Sequence, residues 1–175
     1  DEGNEDAVGD LRKIRAAGKH LLALINDVLD LSKIEAGKMD LYLESFEIPA
    51  MVDEVVATID TVMKKNENRL RVEVAPSLGA MRADLTKVRQ ALFNLLSNAA
   101  KFTHAGEIGL EVRSESEEGV DWVRMAVSDA GVGIPADKLD QVFEAFSQAV
   151  ESTSRDFGGT GLGLPISRRC CQMRG

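Results

Sequence analysis

Apolar residues near the start of the chain recur at alternating steps of three and four positions. The positions in register are Leu11, Ile14, Gly18, Leu21, Ile25, Val28 and Ser32. This heptad pattern covers about three heptads, and four more leucines between residues 22 and 31 widen the apolar stripe beyond a two-stranded seam. The sequence predicts one long helix of a four-helix bundle, ending near Gly37. That helix needs a partner helix, a second copy of the chain, or both to bury its stripe.

The apolar period changes near residue 40, where we place a domain boundary that divides the chain into 1–40 and 41–175. Alternating segments predict strands, and segments with a period near 3.6 predict helices. A Glu-Glu-Gly turn joins the last two strands as a hairpin. Residues 130–160 are rich in Gly, Ser and Asp, with one short helical patch near 137–146. The predicted strands are 41–48, 69–75, 106–114 and 120–129. The predicted helices run from Pro49 to about Lys65, from a start preceded by Asp84 and Thr86 to about Thr103, and onward from about Leu164.

Charge and composition exclude several classes of protein. The 21 Lys and Arg against 29 Asp and Glu give a net charge of −8, which argues against a nucleic-acid binder and against contact with an anionic membrane surface. An apolar share of 44% is too high for a disordered chain, and the longest apolar run is the five residues from Leu21 to Ile25. Cys170 and Cys171 are adjacent and cannot link distant segments, so we expect a reducing, cytoplasmic location without a signal peptide.

The first group of candidate functional residues lies on the helix predicted before Thr103. Asn94, Asn98 and Lys101 are spaced i, i+4 and i+7, so they share one side of that helix, away from its apolar stripe. Two amides and an ammonium can offer a carbonyl oxygen to Mg²⁺ and donors to phosphate oxygens. The alternative is an ordinary solvated helix face.

The second group follows the last predicted strand. Asp129 continues the inward-facing series of that strand, and a buried carboxylate needs a donor, such as the exocyclic amine of adenine. Gly131 and Gly133 would let the backbone approach a ring closely. One alternative is a capping Asp before a Gly-Pro turn. Another is a dinucleotide fingerprint, which would predict a Rossmann-type oxidoreductase, but Pro135 and a long loop replace the helix that this fingerprint requires.

The third group is a glycine-rich segment before the last predicted helix. Clustered glycines at a helix start expose backbone N–H groups that favour phosphate. The spacing differs from that of a P-loop, and the apolar residues that follow argue against a flexible linker. The candidate residues are Gly159, Thr160, Gly161, Leu162 and Gly163.

Taken in this order, the segments resemble the ATP-binding domain of sensor histidine kinases, within the GHKL superfamily. The matching segments are QALFNLLSNAAKFT, SDAGVGIP, QVFEAFSQ and GGTGLGLPIS, and upstream GKHLLALINDVLDLSKIEAGKMDL is similar to the second helix of that family's dimerisation and phosphotransfer hairpin. The resemblance implies a two-layer α/β sandwich with a mixed sheet, preceded by a long helix of a helical hairpin. It assigns residues 1–40 to part of the hairpin and 41–175 to the ATP-binding catalytic domain.

The resemblance also implies a role for each candidate residue toward ATP and Mg²⁺. Asn98 would ligate the metal, Asn94 would support the metal or the phosphates, and Lys101 would contact phosphate oxygens. Asp129 would bind the adenine amine beside Gly131 and Gly133. The segment with Gly159, Thr160, Gly161, Leu162 and Gly163 would form a mobile lid, anchored by Phe143 and Phe146.

Two features of the resemblance bear on the reaction. In the gyrase-like and chaperone ATPases of the superfamily, a Glu at the place of Asn94 activates water; an amide cannot act as a base, so kinase activity is favoured over hydrolysis. The family's acceptor histidine and its Thr-Pro turn have no counterpart here, and we expect His20 and His104 to be structural or exposed. The chain therefore resembles a fragment that lacks its substrate histidine and its last sheet strands.

The family implies two kinds of protein partner. The hairpin would form a homodimer in the full protein, and phosphate would pass to the receiver domain of a response regulator. The alternatives are a nucleotide-binding or dimerising pseudokinase without phosphotransfer, and a phosphatase activity that would depend on hairpin residues.

Overall fold

The computed structural model describes residues 2–147 and 161–173. It contains two compact units, Asp1–Met39 and Asp40–Gly175. The division lies beside the boundary predicted near residue 40, and the functional assignment of each part stays a prediction.

The first unit is a single long helix, α1 (Glu2–Glu35). It ends as the glycine predicted: Gly37 has φ +63°, its N–H donates to the Ile34 carbonyl at 3.0 Å, and Lys38 N–H donates to the Lys33 carbonyl at 2.8 Å. This pair of bonds is a Schellman motif, which satisfies carbonyls that the helix leaves unpaired. The apolar stripe of α1 is exposed, with Leu21 at 59%.

The second unit has helices and strands in nearly the predicted order. Pro49 lies in the first turn of its first helix, where the missing N–H costs little. Two single 3-10 turns, Ala136–Lys138 and Gln141–Phe143, occupy the short helical patch predicted near 137–146. The elements are β1 (Glu44–Glu47), α2 (Ile48–Lys65), β2 (Arg69–Val74), β3 (Ala80–Ala83), α3 (Leu85–Phe102), β4 (Glu107–Glu117), β5 (Val120–Asp129) and α4 (Gly163–Gln172).

The strands form a mixed sheet and a separate small ribbon. In the three-stranded sheet the order is β2-β4-β5, with β2 and β4 parallel and β4 and β5 antiparallel. The β4–β5 turn has positive φ at Glu118 and Gly119, the sign that a type I′ hairpin turn requires, and this confirms the predicted hairpin. The ribbon pairs β1 with β3 in antiparallel fashion.

The hydrophobic core lies between the sheet and two helices. Alternate residues of β4 point inward, while their neighbours stay polar and solvated, as expected of a sheet covered on one side. α2 and α3 cover that inner side and pack on each other. This two-layer arrangement of helices on a mixed sheet is the predicted α/β sandwich. The buried core residues are Ile48, Met51, Val52, Val55, Ile59, Met63, Leu92, Leu96, Ala99, Ala100, Ile108, Leu110 and Val112.

Two strand predictions needed correction. β3, with the sequence Ala-Met-Arg-Ala, was not predicted, because four residues without a β-branched side chain carry almost no strand signal. β1 begins at Glu44 rather than at residue 41 and ends before Ile48, which begins α2. The apolar pair Leu41 and Leu43 therefore precedes the strand. Within the described residues no helix is long and apolar enough to cross a membrane.

Candidate functional site

α3 carries the first group of candidate residues and is fixed at its start by a side chain. The Asp84 carboxylate caps the helix: one oxygen accepts from Lys87 N–H and the other from Tyr42 N–H, each at 3.0 Å. Leu92 and Leu96 face the core and are buried. Asn94, Asn98 and Lys101 are half-buried, at the border between that core side and solvent.

The last turn of α3 meets the loop that follows β5. A Cβ placed on Gly131 would lie 2.5 Å from the Phe102 carbonyl oxygen, so no side chain fits at this position. Gly131 N–H donates to Asp129 Oδ1 at 2.8 Å, which closes the turn. The sequence reasoning attributed Gly131 to the approach of a ligand ring. In the structure the close neighbour is the end of α3, and the glycine brings the loop and the helix together.

Asp129 differs from the prediction in its burial. It was expected to continue the inward-facing series of β5, and it does pair with the buried Ile108 across the sheet. Its side chain is nevertheless exposed, because Asp129 is the last residue of the strand, where the core no longer covers it. One carboxylate oxygen serves as the turn cap that the alternative interpretation described. The other makes no hydrogen bond within the described residues.

The start of α4 contacts the middle of α3. A Cβ on Gly163 would lie 3.3 Å from Cγ and Nδ2 of Asn94, and Asn94 Nδ2 donates to the Gly163 carbonyl in a long 3.5 Å hydrogen bond. Leu162, a candidate for the nucleotide site, is fully buried, so its observed role is packing at the helix start. Gly159 and Thr160 lie outside the described residues. α3 thus contacts both glycine-containing segments, one at its middle and one at its end.

The segment before the glycine-rich stretch is held differently from the prediction. Phe143 and Phe146 were expected to anchor it on the core, yet both are exposed, Phe146 to 66%. The buried anchor is Val142, a smaller side chain whose apolar character gave no stronger signal than its neighbours. Phe143 instead lies under the Arg168 guanidinium, 5.1 Å from the ring centre. Phe146 N–H donates to the Gly161 carbonyl at 3.2 Å.

Gly161 and Gly133 both adopt left-handed backbone, with φ of +67° and +69°. At Gly161 a Cβ would also crowd the backbone of Phe146 and Ser147, at 2.9–3.1 Å. At Gly133 the surrounding space is open. Both positions therefore favour glycine because of their left-handed backbone conformation. At Gly161 a side chain would in addition collide with neighbouring backbone.

A concave surface elsewhere in the described chain is not the predicted site. It has a volume of about 210 Å³ and lies on the side of the sheet away from α2 and α3. Charged strand residues and small ones line it, including Arg71, Glu107, Gly109 and Ser128. None of the residues predicted to bind nucleotide is among its lining residues.

Residues 83–175 match the family model described as histidine kinase-, DNA gyrase B- and HSP90-like ATPase. The chain belongs to this family. Hybrid signal transduction histidine kinase B of Dictyostelium discoideum is 39% identical over 94% of the chain, which is 8% of that protein. Circadian input-output histidine kinase CikA of Synechococcus elongatus is 38% identical over 94% of the chain, 22% of that protein. The chain therefore spans less than a quarter of either of these relatives.

Solved histidine kinases share the fold of this ATPase-family chain. Full-length ShkA in complex with AMPPNP superposes with a TM-score of 0.75 at 33% identity, over 90% of this chain and 32% of that one. The nucleotide-free catalytic domain of histidine kinase ThkA gives a TM-score of 0.59 at 26% identity, over 75% of this chain and 80% of that one. Together with the family match, these relatives support a sensor histidine kinase catalytic domain.

The polar side of α3 in this histidine kinase-like domain carries a cation and an amide for which the described residues provide no ionic or hydrogen-bonding partner. Partial burial lowers the pKa of Lys101, whose ammonium lies 4.9 Å from the centre of the Phe102 ring. It forms no ion pair within residues 2–147 and 161–173. The Asn98 amide likewise makes no hydrogen bond to any described residue. An ammonium and an amide oxygen in this state suit phosphate oxygens and a hard cation.

The side chains on α3 of this ATPase-family chain are suited to a magnesium ion that is held jointly by the protein and a bound ligand. The described residues hold no group of three or more His, Cys, Asp or Glu that could form a protein cage for a metal. Mg²⁺ commonly keeps several waters and binds through one or two protein oxygens plus substrate phosphates. Asn98 can supply one such oxygen, so its amide fits a metal that a nucleotide brings with it.

The sequence reasoning missed a polar contact at the end of α3. Asn66 and Asn68, in the turn between α2 and β2, reach across to the last turn of the helix. The sequence signal was slight: asparagines between a helix and a strand usually indicate only a turn. His104 lies in the turn after α3 and is exposed, as expected.

Proposed function

We propose that this chain is the catalytic portion of a two-component sensor histidine kinase that binds Mg-ATP. The γ-phosphoryl group would pass to a histidine outside these 175 residues and then to the receiver domain of a response regulator. The family membership supports ATP as the ligand, and the curated relatives reported above are named as histidine kinases. A cytoplasmic location is the matching proposal.

One observation carries the proposal: α3 contacts both glycine segments at once. Asn94 packs on Gly163, and the Phe102 carbonyl packs on Gly131, while Asn98 and Lys101 lie between these contacts along the helix. The four residues span about two turns of helix, roughly 12 Å, which is comparable to the length of a nucleoside triphosphate. The arrangement supports a nucleotide along this side of α3, with its base near Asp129 and its phosphates toward Gly163.

The proposed roles follow from the chemistry of each side chain. The exposed oxygen of Asp129 would accept a hydrogen bond from the adenine amine, while its other oxygen keeps the turn closed through Gly131 N–H. Lys101 would neutralise phosphate charge, and Asn98 would give its amide oxygen to Mg²⁺, which when bound screens the charge of the phosphates. Gly133, Gly159, Thr160, Gly161 and Leu162 would complete the binding site through their backbone.

Asn94 favours phosphotransfer over hydrolysis. Its amide has no basic group with which to activate a water molecule. Its contact with Gly163 places it at the start of α4, where it would support the phosphates. In the transfer itself the bond from the γ-phosphorus to the bridging oxygen breaks and a bond to the histidine nitrogen forms, leaving ADP. The contribution of this chain would be positioning and charge neutralisation.

α1 provides the proposed contact with a second copy of the chain. Its exposed apolar residues lie in heptad register, as expected of a helix that packs into a bundle. We propose that it pairs with further helices to form a homodimer. Neither nucleic acid nor membrane contact is proposed for this chain, given its net charge of −8.

The experiment that tests the proposal is phosphotransfer in trans. The chain is mixed with Mg²⁺, ATP labelled at the γ-phosphate, and a separate helix fragment carrying the acceptor histidine of a relative such as CikA. We expect acid-labile label on the fragment, and none with the Asn98→Ala variant. Binding of ATP without label on the fragment would instead support the alternative, a nucleotide-binding pseudokinase.

A further inference from the structure

The end of α3 is held by a buried amide from another part of the chain. Asn68, 8% exposed, lies just before β2. Its Nδ2 donates to the Ala100 carbonyl at 3.0 Å and to the Thr103 carbonyl at 2.8 Å, and its Oδ1 accepts from Gly106 N–H at 3.1 Å. One side chain thus joins the last helical turn, the residue after it and the start of β4.

Asn66 makes a smaller contribution at the same place. Its Nδ2 donates to the Ala100 carbonyl at 2.7 Å, and its backbone carbonyl accepts from Ala105 N–H at 2.9 Å. Ala100 therefore has two amide donors, whereas the Thr103 carbonyl and Gly106 N–H have Asn68 as their side-chain partner. A helix leaves its last carbonyls without partners, and buried carbonyls must find them elsewhere. Asn68 is the more difficult of the two asparagines to replace.

The groups that Asn68 holds are next to the proposed nucleotide site. Lys101 and Phe102 lie between Ala100 and Thr103, and the Phe102 carbonyl is the atom against which Gly131 packs. A Cβ on Gly106 would also lie 3.9 Å from Cβ of Ala130, the first residue of the loop that follows Asp129. A displacement of the helix end would therefore move Lys101 and the Asp129 loop together.

We infer that Asn68 is a positioning residue for nucleotide binding, although it touches no proposed ligand itself. It acts through the last turn of α3. By fixing the position of that turn, Asn68 sets where the Lys101 ammonium lies and keeps the Phe102 carbonyl in contact with Gly131. The inference rests on the proposed function, because it concerns the same site. It adds a residue from the α2–β2 turn, a segment far in sequence from every residue assigned to that site.

The first test compares Asn68→Ala with the matched control Asn66→Ala. Dissociation constants for a non-hydrolysable ATP analogue with Mg²⁺ are measured at a temperature where unfolding curves show both variants folded. We expect Asn68→Ala to weaken binding about tenfold or more and Asn66→Ala about threefold or less. The Ala100 carbonyl keeps one amide donor in either variant, but only Asn68→Ala leaves the Thr103 carbonyl and Gly106 N–H without their side-chain partner. Should Asn68→Ala not fold, Asn68→Ser, which keeps a donor and an acceptor, takes its place in the same comparison.

A double-mutant cycle distinguishes positioning from general destabilisation. If Asn68 acts through Lys101, the loss in affinity from Asn68→Ala must shrink in a Lys101→Ala background, whereas independent effects add. Equal losses in both backgrounds, or parent-like affinity in folded Asn68→Ala, would overturn the inference and leave the proposed function standing. Absence of nucleotide binding by the parent chain would overturn the proposed function itself, and with it the inference.

Discussion

α1 and α3 are both amphipathic helices with a continuous apolar stripe, yet they bury it to opposite extents. In α3 the stripe packs against α2 and the sheet, so that Leu96 is fully buried. In α1 the stripe stays open, and Leu21 is 59% exposed. The periodicity of apolar residues indicates which side of a helix is to be buried, but it does not indicate which element of the protein packs against that side.

The polar sides of the two helices differ as well. Along α1 acidic and basic residues occur in blocks, and one exposed i, i+3 pair, Lys13 with Asp10, is typical of a solvated surface. Along α3 the polar border carries two amides and a lysine without ion pairs in the described chain, and both glycine segments converge on it. This contrast is the reason to place the ligand on α3.

The largest expected difference between the helices is in folding stability. Leu96→Ala should lower the free energy of unfolding of the second unit by about 2–5 kcal/mol, because it leaves a cavity in a packed core. Measured at a concentration where the chain is monomeric, Leu21→Ala in the first unit should change the free energy of unfolding by no more than about 0.5 kcal/mol, since that side chain is largely exposed. Urea unfolding followed by circular dichroism measures both. Similar losses for the two variants would contradict the contrast between the helices.

The same Leu21→Ala variant sharpens the comparison in a second way, through self-association. If the apolar stripe of α1 is buried against another copy of the chain, burial of Leu21 stabilises the dimer by about 1.5–3 kcal/mol. The dissociation constant of the dimer should then rise at least about tenfold in the variant. Sedimentation equilibrium measures the association, with Lys13→Ala, outside the heptad stripe, as the control. A parent chain that remains monomeric at high concentration would rule out self-pairing of α1 as its cover.

A smaller effect is expected at the loop that packs on the end of α3. Asp129→Asn retains an oxygen that can accept from Gly131 N–H, so the turn and the unfolding temperature should stay as in the parent. Its amide can no longer offer two oxygens, and affinity for ATP should fall about tenfold, or about 1.4 kcal/mol. The analogue with inosine in place of adenosine has a carbonyl oxygen where adenine has its amine, so it should bind the variant at least as well as the parent, because an amide can donate to that oxygen and a carboxylate cannot. A variant that still prefers ATP over this analogue would remove the adenine role of Asp129.

Much of the fold followed from periodicity, and the exceptions have physical causes. The helices, the β4–β5 hairpin and the end of α1 at Gly37 could be predicted because apolar spacing and a left-handed glycine are local signals. β3 and the shortened β1 could not, since they form by pairing with each other over a long separation in sequence. Phe46 and Met81, which lie opposite each other, are 35 residues apart. Short strands are made by such pairing rather than by their own sequence.

The candidate site was predictable in composition and less so in geometry. Spacing alone placed Asn94, Asn98 and Lys101 on one side of α3. It could not show that Asp129 is exposed, that Val142 rather than Phe143 is the buried anchor, or that Asn68 holds the helix end. Each of these depends on where the sheet and helices end in space, which a linear pattern does not encode.

The measurement that tests the central claim most directly is a calorimetric titration of the chain with a non-hydrolysable ATP analogue, with and without Mg²⁺. The parent and Asn98→Ala are compared, with Ser97→Ala, the neighbouring half-buried residue of α3, as the control. The account predicts that Mg²⁺ strengthens binding by the parent and by Ser97→Ala, and that Asn98→Ala loses this gain while it remains folded. Binding by the parent that is indifferent to Mg²⁺, or a full magnesium effect in Asn98→Ala, would contradict it.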